Sequence, residues 1–425
     1  MTYEKTLEYI HSTLKFGSRP GLMRIRALCE CLGNPQKKCK FVHIGGTNGK
    51  GSTTSLTAAI LQRAGYKVGM FISPYVDDFR ERIQINGEMI PKEDLCEQLE
   101  KLLPCIESVK ASGHTHPTEF EIITALALSY FADQKCDFVA FEVGLGGTHD
   151  CTNIIDAPEV ACLTSISLDH TKILGNDVQT IAKDKCGIIK PGTIAVTYTD
   201  QNPDALEVIK ADCAAKNVPL HKADISKIDI KKIDITGSDI SYGGYDLHIA
   251  MPGRHQIYNM TTVIEIILAL KSKGYNIPDE CVVEAMANTK FNGRFEVVRN
   301  LPTCIIDGGH NPNGAEAICA AIEELLPGKR LITVMGMFAD KNYTKCVTEI
   351  AKHSDIFIAT QHELARALPA KDLAEVAKPY CGEVYWNEDI KSAAKVALSM
   401  AGIDDVILVC GSLYILHDAK EALTE

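Results

Sequence analysis

The residues most suited to chemistry form one glycine-rich run, FVHIGGTNGKGS, at residues 41–52. Its first four residues predict a buried strand, and an apolar helical pattern begins at Ser52. Glycines let consecutive N–H groups point inward, a helix start adds partial positive charge, and Lys50 can reach outer phosphates. Ile44 stands where a strict Walker A motif has glycine, so the loop is a shortened variant. An ordinary glycine-rich turn is the alternative, but the order of strand, loop, lysine and helix predicts a nucleoside triphosphate site.

Three polar residues fall at or just after the ends of other predicted strands: Ser73, Glu142 and His170. A carboxylate in an otherwise apolar strand is costly unless it is paired or binds a metal. Magnesium prefers oxygen ligands, so Ser73 and Glu142 suit it, whereas imidazole is a less usual ligand. Each residue alone also fits a satisfied polar group at a strand end. Together, beside a phosphate loop, they predict a metal site.

Three further segments carry weaker signals. Lys185 lies in IAKDKCGIIKP beside an apolar run, and a buried lysine can lose its proton and become reactive, although paired lysines usually mark a solvated helix face. Asp307, in IIDGGHNPN, follows a strand and could accept hydrogen bonds from a ribose. Ser412, in VCGSLY, follows the last strand. For the last two segments, simple turn chemistry is the slightly favoured interpretation.

The elements that position these residues alternate between strand and helix, which predicts an α/β fold with a parallel sheet. Residues 220–252 alternate apolar and polar side chains instead, and they predict a small antiparallel insertion. The strand–helix alternation restarts after residue 294. We therefore expect a P-loop-containing parallel-sheet domain at residues 1–294, with the insertion, and a smaller Rossmann-like α/β domain at residues 295–425.

Composition bounds the function. The net charge of −11 argues against nucleic acid or an anionic membrane as the main partner, and no run of about 18 apolar residues occurs. The N-terminus has no apolar signal core, so the 16 scattered cysteines are predicted to be reduced thiols of a cytoplasmic protein. The spacing of Cys29, Cys31 and Cys39 fits no zinc pattern. We expect small-molecule substrates and a monomer.

The ordered motifs resemble those of folylpolyglutamate synthase, often bifunctional with dihydrofolate synthase, within the Mur ligase superfamily. The resemblance spans nearly the whole chain. It is carried by GLMRI, HIGGTNGKGS, SPYVDDFRERI, TEFEIITALAL, FEVGLGG, SLDHTKILG, IAKDKCGIIK, MPGRHQIYN, GRFE, IDGGHNPNGA and CGSLYIL.

The resemblance implies that ATP phosphorylates a carboxylate, that L-glutamate attacks the acyl phosphate, and that an amide, ADP and phosphate result. It implies an ATP-binding central domain at residues 1–294 and a glutamate-ligase domain at 295–425. Lys50, Lys185 and His170 would serve catalysis, and Lys185 would be carbamylated. By the same resemblance, the phosphates and the nucleotide would be contacted by Asn48, Gly49, Lys50, Gly51, Ser52, Asn259, Arg294 and Asp307. Two magnesium ions would be bound by Ser73, Glu142, His170 and Lys185. The substrates would be contacted by Arg82, Phe120, Asp150, Cys151, His310 and Ser412.

The chain departs from the family pattern in one loop. It reads GLGGTHDCTN where the family usually has GLGGRLDATN, so Thr148 and His149 replace a basic–apolar pair and Cys151 replaces alanine. These changes leave the predicted ATP and metal residues unaltered. We expect a bifunctional enzyme, with the choice between pteroate and reduced folate as acceptor left open.

Two other functions fit parts of the sequence. A cell-wall ligase of the same superfamily usually carries an extra N-terminal domain, but here the phosphate loop begins about 40 residues into the chain. A regulatory nucleotide switch that reads guanine uses an Asn-Lys-x-Asp motif, and the sequence has no Asn-Lys dipeptide. The ligase also accounts for the second domain.

Overall fold

A computed structural model describes residues 1–17 and 21–425 as two compact units. The first unit comprises Met1–Ile166, Asn176–Ile225 and Asn259–Ala285. The second comprises Ser167–Gly175, Ser226–Tyr258 and Met286–Glu425. Because the units interleave along the chain, the single boundary after residue 294 stays a prediction.

The strands alternate with helices over most of the chain. The strands are β1 (Lys40–Gly45), β2 (Val68–Phe71), β3 (Ile83–Ile85), β4 (Glu88–Met89), β5 (Phe138–Glu142), β6 (Val160–Leu163), β7 (Ile194–Thr197), β8 (Leu220–Lys222), β9 (Asp229–Asp234), β10 (Gly237–Tyr242), β11 (Tyr245–Ile249), β12 (Glu296–Asn300), β13 (Thr303–Asp307), β14 (Leu331–Met335), β15 (Ile356–Ala359), β16 (Glu383–Trp386) and β17 (Val406–Cys410).

The α-helices differ widely in length. They are α1 (Tyr3–Ser12), α2 (Met23–Cys31), α3 (Lys50–Arg63), α4 (Lys92–Ala111), α5 (Glu119–Asp133), α6 (Thr171–Leu174), α7 (Val178–Lys185), α8 (Pro203–Lys216), α9 (Arg254–Ser272), α10 (Asp279–Asn288), α11 (Pro312–Leu325), α12 (Tyr343–His353), α13 (Ala370–Ala377), α14 (Ile390–Met400) and α15 (Leu416–Thr424). Within residues 1–17 and 21–425, no helix is both long and apolar enough to span a bilayer.

The first unit is built on an eight-stranded sheet in the order β4-β3-β2-β5-β1-β6-β7-β8. The six strands from β2 to β8 in that order run parallel, and β3 and β4 add an antiparallel edge. All five residues of β5 are buried, as expected for a strand covered on both faces. Because β1, β5 and β2 are adjacent, their carboxyl ends meet at one edge, which is where ligands of such sheets bind.

A helical layer covers part of this sheet. Helix α5 is buried from Glu121 to Ala132, and apolar residues of α2, α4 and α5 share one core cluster. Arg24 and Glu121 form a buried ion pair at 3.0 Å, and Glu121 also completes a capping box with Thr118 at the start of α5. The helix is thereby fixed against α2.

Two of the sixteen cysteines are paired. Cys31, the last residue of α2, forms a disulfide with Cys105 of α4, with Cα atoms 5.7 Å apart. The prediction that all cysteines are reduced is therefore wrong for this pair. The partners are separated by 74 residues, so no local spacing could have indicated the bond.

The second unit contains two sheets. Strands β9, β10 and β11 form an antiparallel sheet in that order, and six strands form the order β12-β13-β17-β14-β15-β16. Only β12 runs antiparallel in the larger sheet. Helices α11 to α15 alternate with its strands along the chain.

The predicted fold class is confirmed: a parallel-sheet α/β part with a small antiparallel insertion, and a second α/β sheet. The antiparallel insertion begins later than predicted, because residues 220–222 form β8 at the edge of the parallel sheet. The predicted polar loop at residues 75–82 ends in a short 3-10 helix, Phe79–Arg82, that Asp78 and Glu81 cap.

Candidate functional site

The glycine loop follows β1 and leads directly into α3. Thr47 N–H donates to Ser165 O at 2.7 Å, which fixes the loop against the segment after β6. Gly46 has φ +148°, and a Cβ there would lie 1.8 Å from Thr164 Oγ1, so only glycine fits. Lys50, the first residue of α3, donates from Nζ to Thr47 O at 3.1 Å. The turn therefore brings a helix N-terminus and an ammonium group to one place.

Asn259 packs against this loop. Gly49 precedes α3 with φ +83°, and a Cβ at that position would lie 2.4 Å from Asn259 Oδ1. Asn259 is buried, as are Gly51 and Ser52 in the first turn of α3. The structure therefore brings the predicted nucleotide residue Asn259 together with the predicted phosphate loop, although the two are some 200 residues apart in sequence.

Glu142 and Ser73 meet at the carboxyl ends of neighbouring strands. Glu142 ends β5, is only 3% exposed, and accepts a hydrogen bond from Ser73 N–H at 3.0 Å. The parallel register of β2 and β5 pairs Phe71 with Phe141 and places the two residues side by side. These two predicted metal ligands are thus brought together in an otherwise apolar layer.

Lys185 is buried at the end of α7. Its Nζ donates to Gly46 O at 2.7 Å, so the lysine reaches the glycine loop. A Cβ at Gly147 would lie 2.7 Å from Lys185 Cα, and only glycine allows that approach. Thr148 Oγ1 donates to Asp184 O at 2.8 Å, which attaches the altered loop to α7. Thr148 therefore has a positioning contact of its own in place of the usual basic residue.

Phe120 and Asp150 both lie close to Gly144. A Cβ at Gly144 would come 2.3 Å from the Phe120 ring and 3.1 Å from Asp150 Oδ2. Asp150 is buried, which raises its pKa. Its Oδ1 accepts from Thr152 N–H at 3.0 Å and its Oδ2 from Leu145 N–H at 2.8 Å. Much of its hydrogen-bonding capacity therefore holds its own loop.

Cys151 is buried beside the same loop. Its Sγ lies 3.1 Å from Thr124 Oγ1, and burial raises its pKa well above the ordinary value, so it remains a neutral thiol. It contributes apolar volume rather than charge.

Arg82 is a buried cation of the same unit. Its guanidinium carbon lies 5.2 Å from the Tyr75 ring centroid and 5.7 Å from that of Phe79. Its Nε has no hydrogen-bond partner among the residues that the structure describes. A buried donor of this kind is suited to an anionic group of a ligand.

His170 belongs to the second unit, in a cluster with Asp169 and Lys341. Its Nε2 lies 3.2 Å from Lys341 Nζ, and Lys341 donates to Asp169 Oδ1 at 3.0 Å. Burial would raise the pKa of Asp169, but the charge of Lys341, and then those of His170 and His310, hold it well below its usual range. Nothing in the sequence indicates the pairing of Asp169 with Lys341, because 172 residues separate them.

His310 lies against the same cluster. Its Nδ1 is 2.9 Å from Gly308 O, and its Nε2 is 3.8 Å from Asp169 Oδ2. Burial first, and then the Lys341 charge, lower its pKa to about 4, so the ring is neutral at pH 7. A neutral ring can accept or donate a hydrogen bond.

The other predicted residues of the second unit sit in turns. Asp307 ends β13, and its carboxylate accepts from Phe295 N–H at 2.8 Å and Gly309 N–H at 2.6 Å. Ser412 Oγ accepts from Tyr414 N–H at 3.3 Å after β17. Arg294 is half-buried, and its charge adds to burial in lowering the pKa of His255. Asp307 and Ser412 therefore make the hydrogen bonds within turns that were the alternative explanation of these residues.

The predicted residues divide between the units. The first holds Asn48, Gly49, Lys50, Gly51, Ser52, Ser73, Arg82, Phe120, Glu142, Asp150, Cys151, Lys185 and Asn259. The second holds His170, Arg294, Asp307, His310 and Ser412. His170 was predicted beside Ser73 and Glu142, but its contacts described above are to Lys341 and Asp169.

Most of the chain matches two known protein domains. Residues 44–267 match the Mur ligase middle domain, and residues 293–413 match the Mur ligase glutamate ligase domain. Dihydrofolate synthase/folylpolyglutamate synthase of Bacillus subtilis is 34% identical over 429 residues, covering 99% of each chain. Folylpolyglutamate synthase of Lacticaseibacillus casei is 31% identical over 436 residues, covering 100% of this chain and 99% of that one.

Solved structures of folylpolyglutamate synthases have a similar fold. Mycobacterium tuberculosis folylpolyglutamate synthase complexed with ADP and AMPPCP has a TM-score of 0.90 at 29% identity, covering 99% of each chain. E. coli FolC in complex with DHPP and ADP has a TM-score of 0.84 at 27% identity, covering 98% of this chain and 96% of that one. Because both domains match and relatives above 30% identity cover nearly the whole chain, the chain belongs to the folylpolyglutamate synthase/dihydrofolate synthase family of Mur ligases.

Proposed function

We propose that the protein is an ATP-dependent ligase that joins L-glutamate to dihydropteroate, to the glutamate tail of reduced folates, or to both. An acyl phosphate would form on the acceptor carboxylate, and the glutamate amine would then displace phosphate. The observation that carries the proposal is the sheet edge of the first unit, where the loop after β1 lies beside Glu142 and Ser73. The names of the relatives and the ligands bound to the structural neighbours support it.

The phosphate loop supplies binding and charge. In-line phosphoryl transfer depends on positioning and on neutralising negative charge more than on covalent help. The N–H groups at the start of α3 and the Lys50 ammonium suit the phosphates of ATP. Asn259, packed on Gly49, and Ser52 support the same turn. Arg294 and Asp307 keep their predicted roles toward the nucleotide.

The donor set of the first unit fits magnesium. A buried carboxylate and a serine hydroxyl are hard oxygen ligands, and Glu142 costs free energy in its apolar layer unless a cation or another partner offsets its charge. Bound there, magnesium would neutralise phosphate charge. We propose Glu142 and Ser73 as magnesium ligands. That His170 is a further ligand, and that two ions bind, remain predictions.

Lys185 is proposed to carry a carbamate. A carbamate is anionic and offers oxygen ligands, whereas a bare ammonium repels magnesium. The modified Nζ keeps one N–H, which suffices for the hydrogen bond to Gly46 O. Gly147 and Thr148 hold the backbone that carries this side chain.

The acceptor is proposed to lie beside Phe120, Asp150 and Cys151. Phe120 offers a ring face for a pterin, and the lone pairs of Asp150 left by its loop contacts can accept from ring N–H groups. Arg82 can pair with an acceptor carboxylate. His310 and Ser412 keep their predicted roles toward L-glutamate. Cys151 is small and uncharged, so dihydropteroate is expected to be accepted.

The test is ADP release with magnesium and L-glutamate, with dihydropteroate and tetrahydrofolate offered separately. Release with both acceptors, and none when glutamate is omitted, is the expected result. Release with tetrahydrofolate alone would remove dihydropteroate from the proposal. ATP binding without acceptor-dependent turnover would instead indicate a nucleotide-binding regulatory protein, and the ligase would be excluded. The cytoplasmic location and monomeric state remain predictions.

A further inference from the structure

A cluster of metal-ligating side chains on α11 and α12 includes none of the predicted site residues. Cys319 and Glu323 are one helical turn apart on α11, and Glu349 and His353 are one turn apart on α12. One ligand atom each of Cys319, Glu349 and His353 lies within 4.8 Å of the others. Side chains at positions i and i+4 share a helix face, so two such pairs on packed helices can converge.

The orientation of His353 indicates a cation. Its Nδ1 lies 2.9 Å from Glu349 O, a carbonyl that can only accept, so Nδ1 carries the hydrogen. Its Nε2 then presents a lone pair, yet it lies 3.0 Å from Glu323 Oε1. Two acceptors face each other there unless a proton or a metal ion lies between them. A histidine held at Nδ1 by a carbonyl is the usual arrangement for a metal ligand at Nε2.

The charge around Cys319 and its burial also favour a bound cation. Cys319 is 5% exposed, and its burial, followed by the charges of Glu349, Glu323 and Glu316, raises its pKa to about 12. An ion bound at the cluster would offset these carboxylates and hold the sulfur as thiolate. The cluster therefore combines negative charge with one soft and one borderline ligand.

We propose that Cys319 Sγ, the His353 imidazole and the Glu349 carboxylate form a structural site for a zinc-class divalent cation that links α11 to α12, with Glu323 as a neighbouring carboxylate on the His353 side. Zinc takes cysteine, histidine and carboxylate ligands in tetrahedral sites. Magnesium avoids thiolate and imidazole, so this site differs in chemistry from the one proposed for catalysis. The proposal is independent of the ligase activity.

The experiment is a Co²⁺ titration of the full chain in excess Mg²⁺, followed by displacement with Zn²⁺. We expect a thiolate-to-cobalt charge-transfer band in the near ultraviolet, which an all-oxygen site cannot give. Cys319→Ser should abolish the band. His353→Gln should weaken Zn²⁺ binding by at least about 100-fold, because even partners outside the ligand shell typically cost 10–100-fold.

Two controls match these variants. Cys346→Ser changes another buried cysteine, on α12, and should leave the band intact. His417→Gln changes a histidine of the exposed His417–Asp418–Glu421 group on α15 and should leave Zn²⁺ affinity unchanged. No band in the wild-type chain, or an equal band in Cys319→Ser, would overturn the proposal. If Cys319→Ser fails to fold, the half-buried His353→Gln decides: unchanged Zn²⁺ affinity overturns the proposal.

Discussion

Each unit contains a strand and a helix joined through a pair of glycines, Gly45-Gly46 at the end of β1 and Gly308-Gly309 just after β13, and the two turns are completed differently. After β13, Asn311 Oδ1 caps α11 by accepting from Gly314 N–H at 2.9 Å, and Asp307 accepts from Gly309 N–H. After β1, the residue before α3 is Gly49, which has no side chain that could cap the helix. The turn after β13 satisfies N–H groups with its own side chains, whereas the residue that precedes α3 contributes no side-chain cap.

The first residue of the helix also differs between the two turns. Pro312 begins α11 and has no N–H to satisfy, while Lys50 begins α3 and adds positive charge. Similar strand–glycine–helix patterns therefore end in a side-chain cap and a proline in one unit, and in a glycine and a lysine in the other, as expected if only the second turn binds phosphate. The cap residue, rather than the glycines, distinguishes the two.

The largest effect is expected from Lys50→Ala. Removing this charge from developing phosphoryl charge should lower the ADP-release rate by about 10³-fold, with little change in the free energy of unfolding. Lys92→Ala also removes a lysine from the first residue of a helix, α4, and should leave the rate unchanged. Near-normal activity in Lys50→Ala would show that the turn after β1 is structural, like the turn after β13.

Lys185→Ala should lower the rate by about 100-fold or more, since a proposed magnesium ligand and the contact to Gly46 O are both lost. Added formate or acetate should restore part of the activity by replacing the carbamate oxygens. Lys183→Ala, on the exposed side of α7, is the matched control. A high-resolution density map with a bare lysine beside bound magnesium would contradict the carbamate.

Gly49→Ala should lower kcat/KM for ATP by about tenfold. The left-handed backbone costs an alanine about 1–2 kcal/mol, and the new Cβ would displace Asn259. Gly65→Ala has φ +91° with nothing within 4 Å of its Cβ, so it isolates the backbone cost. Steady-state kinetics and urea unfolding of both variants separate the two effects. Equal kinetics for both would mean that the Asn259 contact does not matter to ATP.

Asn311→Ala should have the smallest effect, a loss of about 1 kcal/mol in the free energy of unfolding. Asn202 offers a close comparison, because it also caps a helix that begins with proline, α8. Asn311 additionally donates from Nδ2 to Asp169 Oδ2 at 3.2 Å, so its replacement should cost more than Asn202→Ala. Urea denaturation of both variants measures the difference, and a smaller loss for Asn311→Ala would contradict a structural role for the turn after β13.

The sequence alone predicted those parts of the fold and of the candidate site whose residues form a local pattern. Strand, glycines, lysine and helix are consecutive at residues 41–52, and strand ends in a parallel sheet share an edge, which is why Ser73 and Glu142 were correctly expected to meet. Pairings between distant segments left no such signal. Lys341 with Asp169 and Cys31 with Cys105 depend on tertiary packing alone, and Thr148 revealed its contact to α7 only in the structure.

The interleaved units have a consequence for the nascent chain. Six segments alternate between the units, so the chain passes five times from one to the other. The pair of Asp169 and Lys341 closes a loop of 172 residues, and contacts of such separation slow folding. A fragment cut to the matched residues 293–413 would keep Lys341 but lack Asp169. Because the fragment would lose this partner of Lys341, the ligase half is expected to be a poor candidate for expression in isolation.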